Sequence, residues 1–470
     1  MLYVRGRTLR SIEGLLVPPP VVEGSLEIPC PAGFFQHISN SAVCVACPAG
    51  YTSAAGSTTA SDCIAGEGAT PAPAASSTRP APTTTAGGCS LAGLFDAECV
   101  EYPTTYEFPG TYTTRSLVPV SGYDAGTPSF STVDISTVST TGNFRGGVLA
   151  PDGTVVFVPY STAHVGIFHP VENSLEVVSA AVSTGGSYYG GVLASNGNIV
   201  FVPYAADDVG VYNFTTKATY VVDLSATVSM DYKYCGGVLA PNSQVIFVPY
   251  NSHTVGVFNP ASNVFGAVDI SSSISIDFKY AGGVLAPNGV IVFVPHSADN
   301  VGLYYPATQY FEVVDISGVI STDSKYFGGV LVPSGKVVFT PRDADNVGVY
   351  DPFTKVFEVV DITATISMDE KYAGAVLGPN GMVYFAPIRA DSVGMFDPAT
   401  NTFSIVTISR GNVRFVGCVL APNGKVVVVP LDTNAVAGVF DPGNAAPAYN
   451  VSGGVPDAWR VLLSPHFNKL

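Results

Sequence analysis

Four segments of the chain carry one signature, Asp-x-Lys-Tyr: Asp231–Tyr234, Asp277–Tyr280, Asp323–Tyr326 and Asp369–Tyr372. Gathered around one opening, Lys233, Lys279, Lys325 and Lys371 with Tyr234, Tyr280, Tyr326 and Tyr372 would form a basic, aromatic ring able to hold an acidic or sugar ligand. Arg414 and Phe415 take the same register further on, and Phe144 and Tyr188 hold it earlier without the charges. The same residues also suit a structural wedge, with each aromatic packed against a neighbour and Asp–Lys as a loop salt bridge. Regularity favours the wedge, because a structural part repeats whereas a binding site breaks symmetry.

Other chemistry is thinly represented. His164, His253 and His296 fall in different registers of the repeat. Asp207, Asp299, Asp345 and Asp391 recur singly in short polar turns, where a carboxylate caps its own backbone. Calcium would need several oxygen ligands converging on one point. The chain has no Gly-x-Ser-x-Gly, His-Glu-x-x-His, phosphate loop or dinucleotide fingerprint. No catalytic residue, metal or cofactor is therefore assigned. The informative geometry is that of His253, His296, Arg342 and the lysine ring: two histidines and a carboxylate in metal-binding reach would argue for an enzyme.

These signatures sit inside a longer repeat. Val-Leu, usually followed by Ala-Pro, begins at Val148, Val192, Val238, Val284, Val330, Val376 and Val419, a period near 45 residues. Each copy holds four short β-rich runs separated by turn residues, which predicts four strands. A single sheet cannot bury both its faces, whereas radially stacked sheets can, and this period fits a propeller. The fold expected is all-β: a β-propeller of four-stranded blades behind a small disulfide-rich N-terminal module. Gly-Gly opens the inner strand (Gly236–Gly237, Gly282–Gly283, Gly328–Gly329), where backbones crowd the axis. Prolines such as Pro249, Pro295 and Pro341 end the second strand, where a missing donor is tolerated. The Gly-Gly pair resembles kelch and YVTN-type propeller repeats, although the kelch Tyr and Trp pattern is missing in a chain with one Trp. Lyase and lactonase propellers share the architecture, but no acid–base set here carries their chemistry over.

The chain ends set the blade number. Phe130–Ser136 reads as an outer strand, and Leu462–Pro465 resembles the start of an inner one. With weaker strands within Tyr106–Tyr123, the two ends would build an eighth blade. Alternatively, Phe130–Ser136 completes the last repeat and seven blades close. Eight is favoured.

Residues 29–63 hold Cys30, Cys44, Cys47 and Cys63, and Cys-Pro-Ala-Gly-aromatic opens two units there. This segment resembles the cysteine-rich repeat of ephrin and TNF receptors. The resemblance implies Cys30–Cys44 and Cys47–Cys63 bridges and an oxidising compartment. So small a segment needs such staples, each contributing roughly 2–4 kcal/mol. A zinc site would want a second ligand pair that the segment lacks. Cys89 and Cys99 flank a short apolar stretch and could form a third bridge, while Cys235 and Cys418 belong to distant repeats and should be free, buried thiols. Residues 1–28 are unassigned, 64–88 read as a Thr/Pro/Ala-rich linker, and 100–470 as the propeller.

Composition narrows the partners. Charged residues make up 12% and the net charge is −16, which disfavours nucleic acid and anionic membranes. No apolar run is long enough to span a bilayer, and no clear signal peptide is visible. Asn213-Phe-Thr and Asn450-Val-Ser permit N-glycosylation if the chain is secreted. The expectation is a monomeric extracellular or cell-surface binding or scaffold protein that offers a propeller face to a protein or glycan. The alternative is a propeller enzyme, lyase or lactonase-like, acting at the pore mouth.

Overall fold

The computed structural model describes residues 127–443, apart from 136–143, 184, 410 and 432–435, together with short strands at 34–36, 44–46, 51–52, 64–65 and 468–469. The chain divides into two units, Met1–Thr85 and Ala86–Leu470. In the first, Phe34–Gln36 pairs antiparallel with Cys44–Ala46, and Tyr51–Thr52 with Ile64–Ala65. The bridges expected from Cys30, Cys44, Cys47, Cys63, Cys89 and Cys99 involve side chains outside the described residues.

The second unit is a propeller of seven blades, each with four antiparallel strands in sequence order from the axis outward. Blades 1 to 6 span Phe144–Ser179, Tyr188–Asp223, Tyr234–Asp269, Tyr280–Asp315, Tyr326–Asp361 and Tyr372–Thr407. Blade 7 takes three strands from Phe415–Asp441 and its outer strand, Ser129–Asp134, from the other end of the propeller.

Burial explains the sequence pattern of each strand. The second strand is sandwiched between neighbouring blades, so Ile291–Pro295 is covered at every position and reads as a continuous apolar run. The outer strand is the least covered, so in Val356–Asp361 only Phe357 and Val360 are partly covered and the other positions are exposed. The core lies between blades: Val238, Ile246 and Val248 of blade 3 pack with Tyr280, Ile291 and Phe293 of blade 4.

The two glycines of the inner strand do different work. Gly236 has φ of 84°, at a point where the ladder register slips between Tyr234 and Gly237. A Cβ there would lie 2.9 Å from Gly282 Cα of the next blade, so backbone meets backbone near the axis. The second glycine answers to packing alone. A Cβ on Gly237 would meet Val192 and Val202 methyls at 2.9 Å, yet Ala375 and Cys418 fill this register in blades 6 and 7. Cys235 and Cys418 are free and buried, as their distant repeats require, and burial pushes both thiols up.

The eighth blade expected from the chain ends does not form. Ser129–Asp134 pairs over its full length with Val436–Asp441, from Asp441↔Ser129 to Val436↔Asp134. It supplies the one edge that the last repeat lacks. Blade 7 then packs directly on blade 1: Asn423 Nδ2 donates to Pro170 O at 2.9 Å, and Arg145 donates to Leu431 O at 3.0 Å. No gap remains for another sheet. The segment 106–123 and Leu462–Pro465 lie outside the described residues. Asn468–Lys469 adds a short antiparallel pairing to the inner edge of blade 6, opposite Val376 and Ala375. Among the described residues, no helix is long and apolar enough to cross a membrane.

Candidate functional site at the mouth of the central channel

The constant residues of the Asp-x-Lys-Tyr signature are buried between and within blades. Lys233, Lys279, Lys325 and Lys371 are fully covered, as are Tyr234, Tyr280, Tyr326 and Tyr372. Tyr280, Tyr326 and Tyr372 lie against the glycine of their blade's third strand, Gly302, Gly348 and Gly394, and all four hydroxyls reach the start of that strand. Tyr234 bonds Thr254 at 2.9 Å, Tyr372 bonds Ser392 at 3.1 Å, and Tyr280 and Tyr326 donate to Asn300 and Asn346.

Each lysine reaches back to the preceding blade. Lys325 Nζ meets Asp299 Oδ1 at 2.9 Å, Thr322 O at 2.7 Å and Ser297 O at 3.3 Å. Lys233 pairs with Asp207 at 3.0 Å and Lys371 with Asp345 at 3.1 Å. The partner is thus the aspartate of the neighbouring blade's polar turn. The signature's own Asp231, Asp277, Asp323 and Asp369 are exposed. Lys279 is the exception, because His253 stands where a carboxylate stands in those three blades. Its Nζ has carbonyls, Asn251 O at 3.0 Å and Tyr250 O at 3.4 Å, and burial holds its pKa down to about 8 against a pull from Asp277.

The lysine register also positions the residue that follows each second-strand proline. Tyr250, His296, Arg342 and Ile388 each donate their N–H to the carbonyl of Lys233, Lys279, Lys325 or Lys371 at 2.9 Å. Their own carbonyls, in Tyr250, His296 and Arg342, accept from the lysine N–H of the next blade at 2.9 Å. Leu431 hangs from Arg414 O in the same way. A fixed backbone ring therefore carries a varied set of side chains.

Three such variable registers converge on a cavity of ≈ 340 Å³ at this face. The residue after the proline runs Tyr160, Tyr204, Tyr250, His296, Arg342, Ile388 and Leu431 through the seven blades. The second residue of the inner strand supplies Arg145, Tyr189, Phe327, Ala373 and Val416. The unspecified residue of Asp-x-Lys-Tyr supplies Phe278, Ser324 and Glu370. In that last register Tyr232, Phe278, Ser324 and Glu370 hold φ between 51° and 59°. A left-handed backbone costs a residue with a Cβ about 1 kcal/mol or more. Gly186 takes the register in blade 2 at φ 87°, so four blades keep a side chain where glycine would fit better.

The cavity wall is polarised. Blades 1 to 4 present an aromatic sheet in which Tyr204 lies 5.3 Å from Tyr189, 4.8 Å from Tyr232 and 5.9 Å from Tyr250. Tyr250 continues it to Phe278 at 5.1 Å and His296 at 5.3 Å. Burial raises the pKa of Tyr189, Tyr204 and Tyr250, which keeps these phenols protonated. Blades 5 and 6 are charged: Arg342 contacts Glu370 at 2.8 Å and Asp343 at 3.3 Å, and Glu370 also meets Arg389 at 2.5 Å. Ala373, Ile388, Val416 and Leu431 make the remaining side apolar. Desolvation, with Arg342 close by, holds His296 down to about 3, so its imidazole is neutral.

Arg145 stands between the aromatic and apolar sides. Its guanidinium carbon lies 4.2 Å from the Tyr160 ring centre and 5.8 Å from that of Tyr189. Of the other residues expected here, Arg414 lines the cavity. His253 and His164 are exposed and do not line it. Among the described residues, no group of three or more His, Cys, Asp and Glu is placed to hold a metal ion.

Comparison with known proteins fits this arrangement at the level of fold. Residues 25–63 match the family described as tyrosine-protein kinase ephrin type A/B receptor-like. No curated protein matches the sequence. Among solved structures, the chain is similar to a streptogramin B lyase, at 15% identity and TM-score 0.56, covering 67% of this chain and 97% of that one. It is also similar to a catalytically inactive virginiamycin B lyase from Staphylococcus aureus with quinupristin, at 11% identity and TM-score 0.55, covering 67% and 99%. A third is the extracellular domain of a proposed one-component system from B. thetaiotaomicron, at 11% identity and TM-score 0.53, covering 69% and 44%. These similarities carry the propeller fold; they do not place the chain among kelch or YVTN repeats.

Proposed function

We propose that the chain is an extracellular or cell-surface binding protein whose propeller takes a saccharide ligand at the mouth of its channel. The N-terminal cysteine-rich module of 29–63 and the linker of 64–88 would present the propeller of 100–470 to that ligand. One observation carries this reading: side chains from three registers that differ from blade to blade meet at the cavity, on a backbone ring whose hydrogen bonds repeat from blade to blade. Packing alone would accept a near-constant side chain, as it does at the tyrosine register, Tyr or Phe in all seven blades, and at the buried lysines of blades 3 to 6. Only a ligand that approaches along the axis meets all seven blades at once, and it meets them where they differ. Aromatic faces stack on the apolar faces of sugar rings, while phenols and an imidazole at their edges bond hydroxyls. Extracellular placement is supported by the ephrin-receptor-like match and by structural neighbours that are extracellular domains.

The test is binding to an array of neutral and acidic saccharides, with Tyr204→Ala and Tyr250→Ala alongside the unmodified chain. Each substitution should weaken the positive signals about tenfold, the scale of one lost stacking contact. Binding untouched by both would move the site off the cavity. Turnover of a bound compound, instead of reversible retention, would favour the enzyme alternative.

A further inference from the structure

Among the cations whose environment at this face is fully described, only Arg145 and Lys279 lack a carboxylate partner, and the Lys279 head is fully covered and held by the Asn251 and Tyr250 carbonyls. Lys233, Lys325 and Lys371 each meet an aspartate, and Arg342 meets Asp343 and Glu370. Arg145 has no ion pair among the described residues. Its contacts are Leu431 O at 3.0 Å, its neighbour's carbonyl Phe144 O at 3.5 Å, and the faces of Tyr160 and Tyr189. It is half-buried in a cavity lined by three arginines and one carboxylate, within a chain of net charge −16. A partly desolvated guanidinium with no counter-charge is unfavourable unless something else supplies one.

The surroundings are donors as well. The hydroxyls of Tyr160, Tyr189, Tyr204 and Tyr250 line the cavity with no protein hydrogen-bond acceptor among the described residues. Tyr160 covers one face of the guanidinium, so an incoming group meets its edge. Nη1 is taken by Leu431 O and Phe144 O, which leaves Nε and Nη2 as the paired N–H donors that a planar carboxylate accepts two-fold.

Resting on the saccharide reading above, we propose that the ligand is an acidic saccharide of the uronic acid type. Its carboxylate docks on Arg145 and its ring lies against the tyrosine wall of blades 1 to 3. The sequence places the parts for this: an arginine in the inner strand of blade 1, and a tyrosine after the second-strand proline in three successive blades.

The experiment is calorimetric titration of the full chain with trigalacturonate, with the neutral galactose trisaccharide of the same length, and with a sulfated galactose trisaccharide. Arg145→Gln and Arg145→Lys are measured beside the unmodified chain. The expected result is at least about tenfold tighter binding of trigalacturonate than of the neutral sugar, the worth of one charge-assisted contact. Raising the salt should narrow that ratio. Arg145→Gln should bring it near unity, and Arg145→Lys should keep part of it. Equal binding of acid and neutral sugars, a preference that survives Arg145→Gln, or tighter binding of the sulfated sugar would each overturn the proposal. The first two would leave the saccharide reading standing. Failure of all three sugars to bind the unmodified chain would overturn both. Thermal unfolding of Arg145→Gln with a midpoint close to that of the unmodified chain shows that the variant is folded.

Discussion

Tyr189 and Phe327 come from blades 2 and 5, as far apart as a seven-membered ring allows, and their rings meet across the axis with centroids 5.5 Å apart. Both occupy the same register, the second residue of an inner strand, where other blades have Cys235, Ala281, Ala373 and Val416. Two large side chains thus fill what five smaller or displaced ones leave open. They form a floor beneath the cavity, and His296 packs on it with its ring 5.9 Å from Phe327.

This floor is separable from the core between blades. Phe327→Ala should cost about 2 kcal/mol, below the usual 3–5 for a buried Phe, because one side of the ring faces the cavity. It should also weaken ligand binding, since Tyr189 and His296 lose a common support. Phe327→Leu should restore most of the stability. Denaturant unfolding reads the first effect and titration with a bound saccharide the second. A loss of stability with unchanged affinity would show that the floor does not organise the site.

The lysine staples should be far more costly to remove. Lys325 is fully covered, while its partner Asp299 is about half exposed. Lys325→Met strips a donor from two carbonyls and an aspartate and leaves the buried site without its ammonium, and the expected loss is about 3 kcal/mol. Asp299→Asn leaves the ammonium its carbonyl partners and keeps an oxygen for it, so about 1 kcal/mol is expected. Thermal unfolding of the two variants gives the order directly. Similar losses would mean that the ion pair, and not the burial of the lysine head, carries the strength.

The fold was legible because the demands of packing repeat. Gly236, Pro249 and the run Val245–Val248 recur in every blade with only conservative change, since every blade meets the same neighbours. Closure was harder to read. Phe130–Asp134 has the pattern of an outer strand in any ring size, and nothing local states which third strand it will join. The site was masked by its own frame. Lys279 and Tyr280 attract attention because they recur, and they recur because they are structural. The lysine also takes its aspartate from the neighbouring blade and not from two residues away, since the inter-blade crevice brings Asp299 to Lys325. The residues facing the cavity are those that the fold leaves unconstrained, so their signal was variation inside a regular repeat. Arg145, between Phe144 and Gly146, and Glu370, between Asp369 and Lys371, carry that signal, and the regular repeat around them hides it. His296 and Arg342 were visible as pore-mouth candidates, but their neighbours Tyr160, Tyr204 and Tyr250 were not.

His253 provides a pH test of the one staple without a carboxylate. Lys279 has its pKa held near 8 in the folded chain, below the 10.5 of an exposed lysine. The unfolded chain therefore binds more protons between those values, and stability rises with pH across that window, by at most roughly 1.4 kcal/mol per unit. His253→Asp should supply the missing partner and raise the folded pKa. The variant should gain most at pH 7, where Lys279 is charged in both states, and its advantage should shrink as pH climbs from 8 to 9.5. Chemical denaturation of both forms across that range checks the sign. A constant difference would mean that Lys279 is not the group responding.

The two glycines of the inner strand offer the sharpest contrast within one blade. Gly374→Ala in blade 6 places a Cβ 2.8 Å from Gly417 Cα on a backbone with φ of 90°. The obstacle is main chain, which cannot rotate away, so blades 6 and 7 would have to separate near the axis. The expected loss is about 3 kcal/mol or more, with reduced yield of folded protein. Gly283→Ala instead meets two valine methyls at 2.9 Å with no positive φ to oppose it. Ala375 and Cys418 occupy that register elsewhere, so the methyls can give way. A loss near 1 kcal/mol is expected, and unfolding midpoints of the two variants decide it. Equal losses would mean that crowding by side chains, and not backbone approach between inner strands, sets how tightly the ring closes on the cavity.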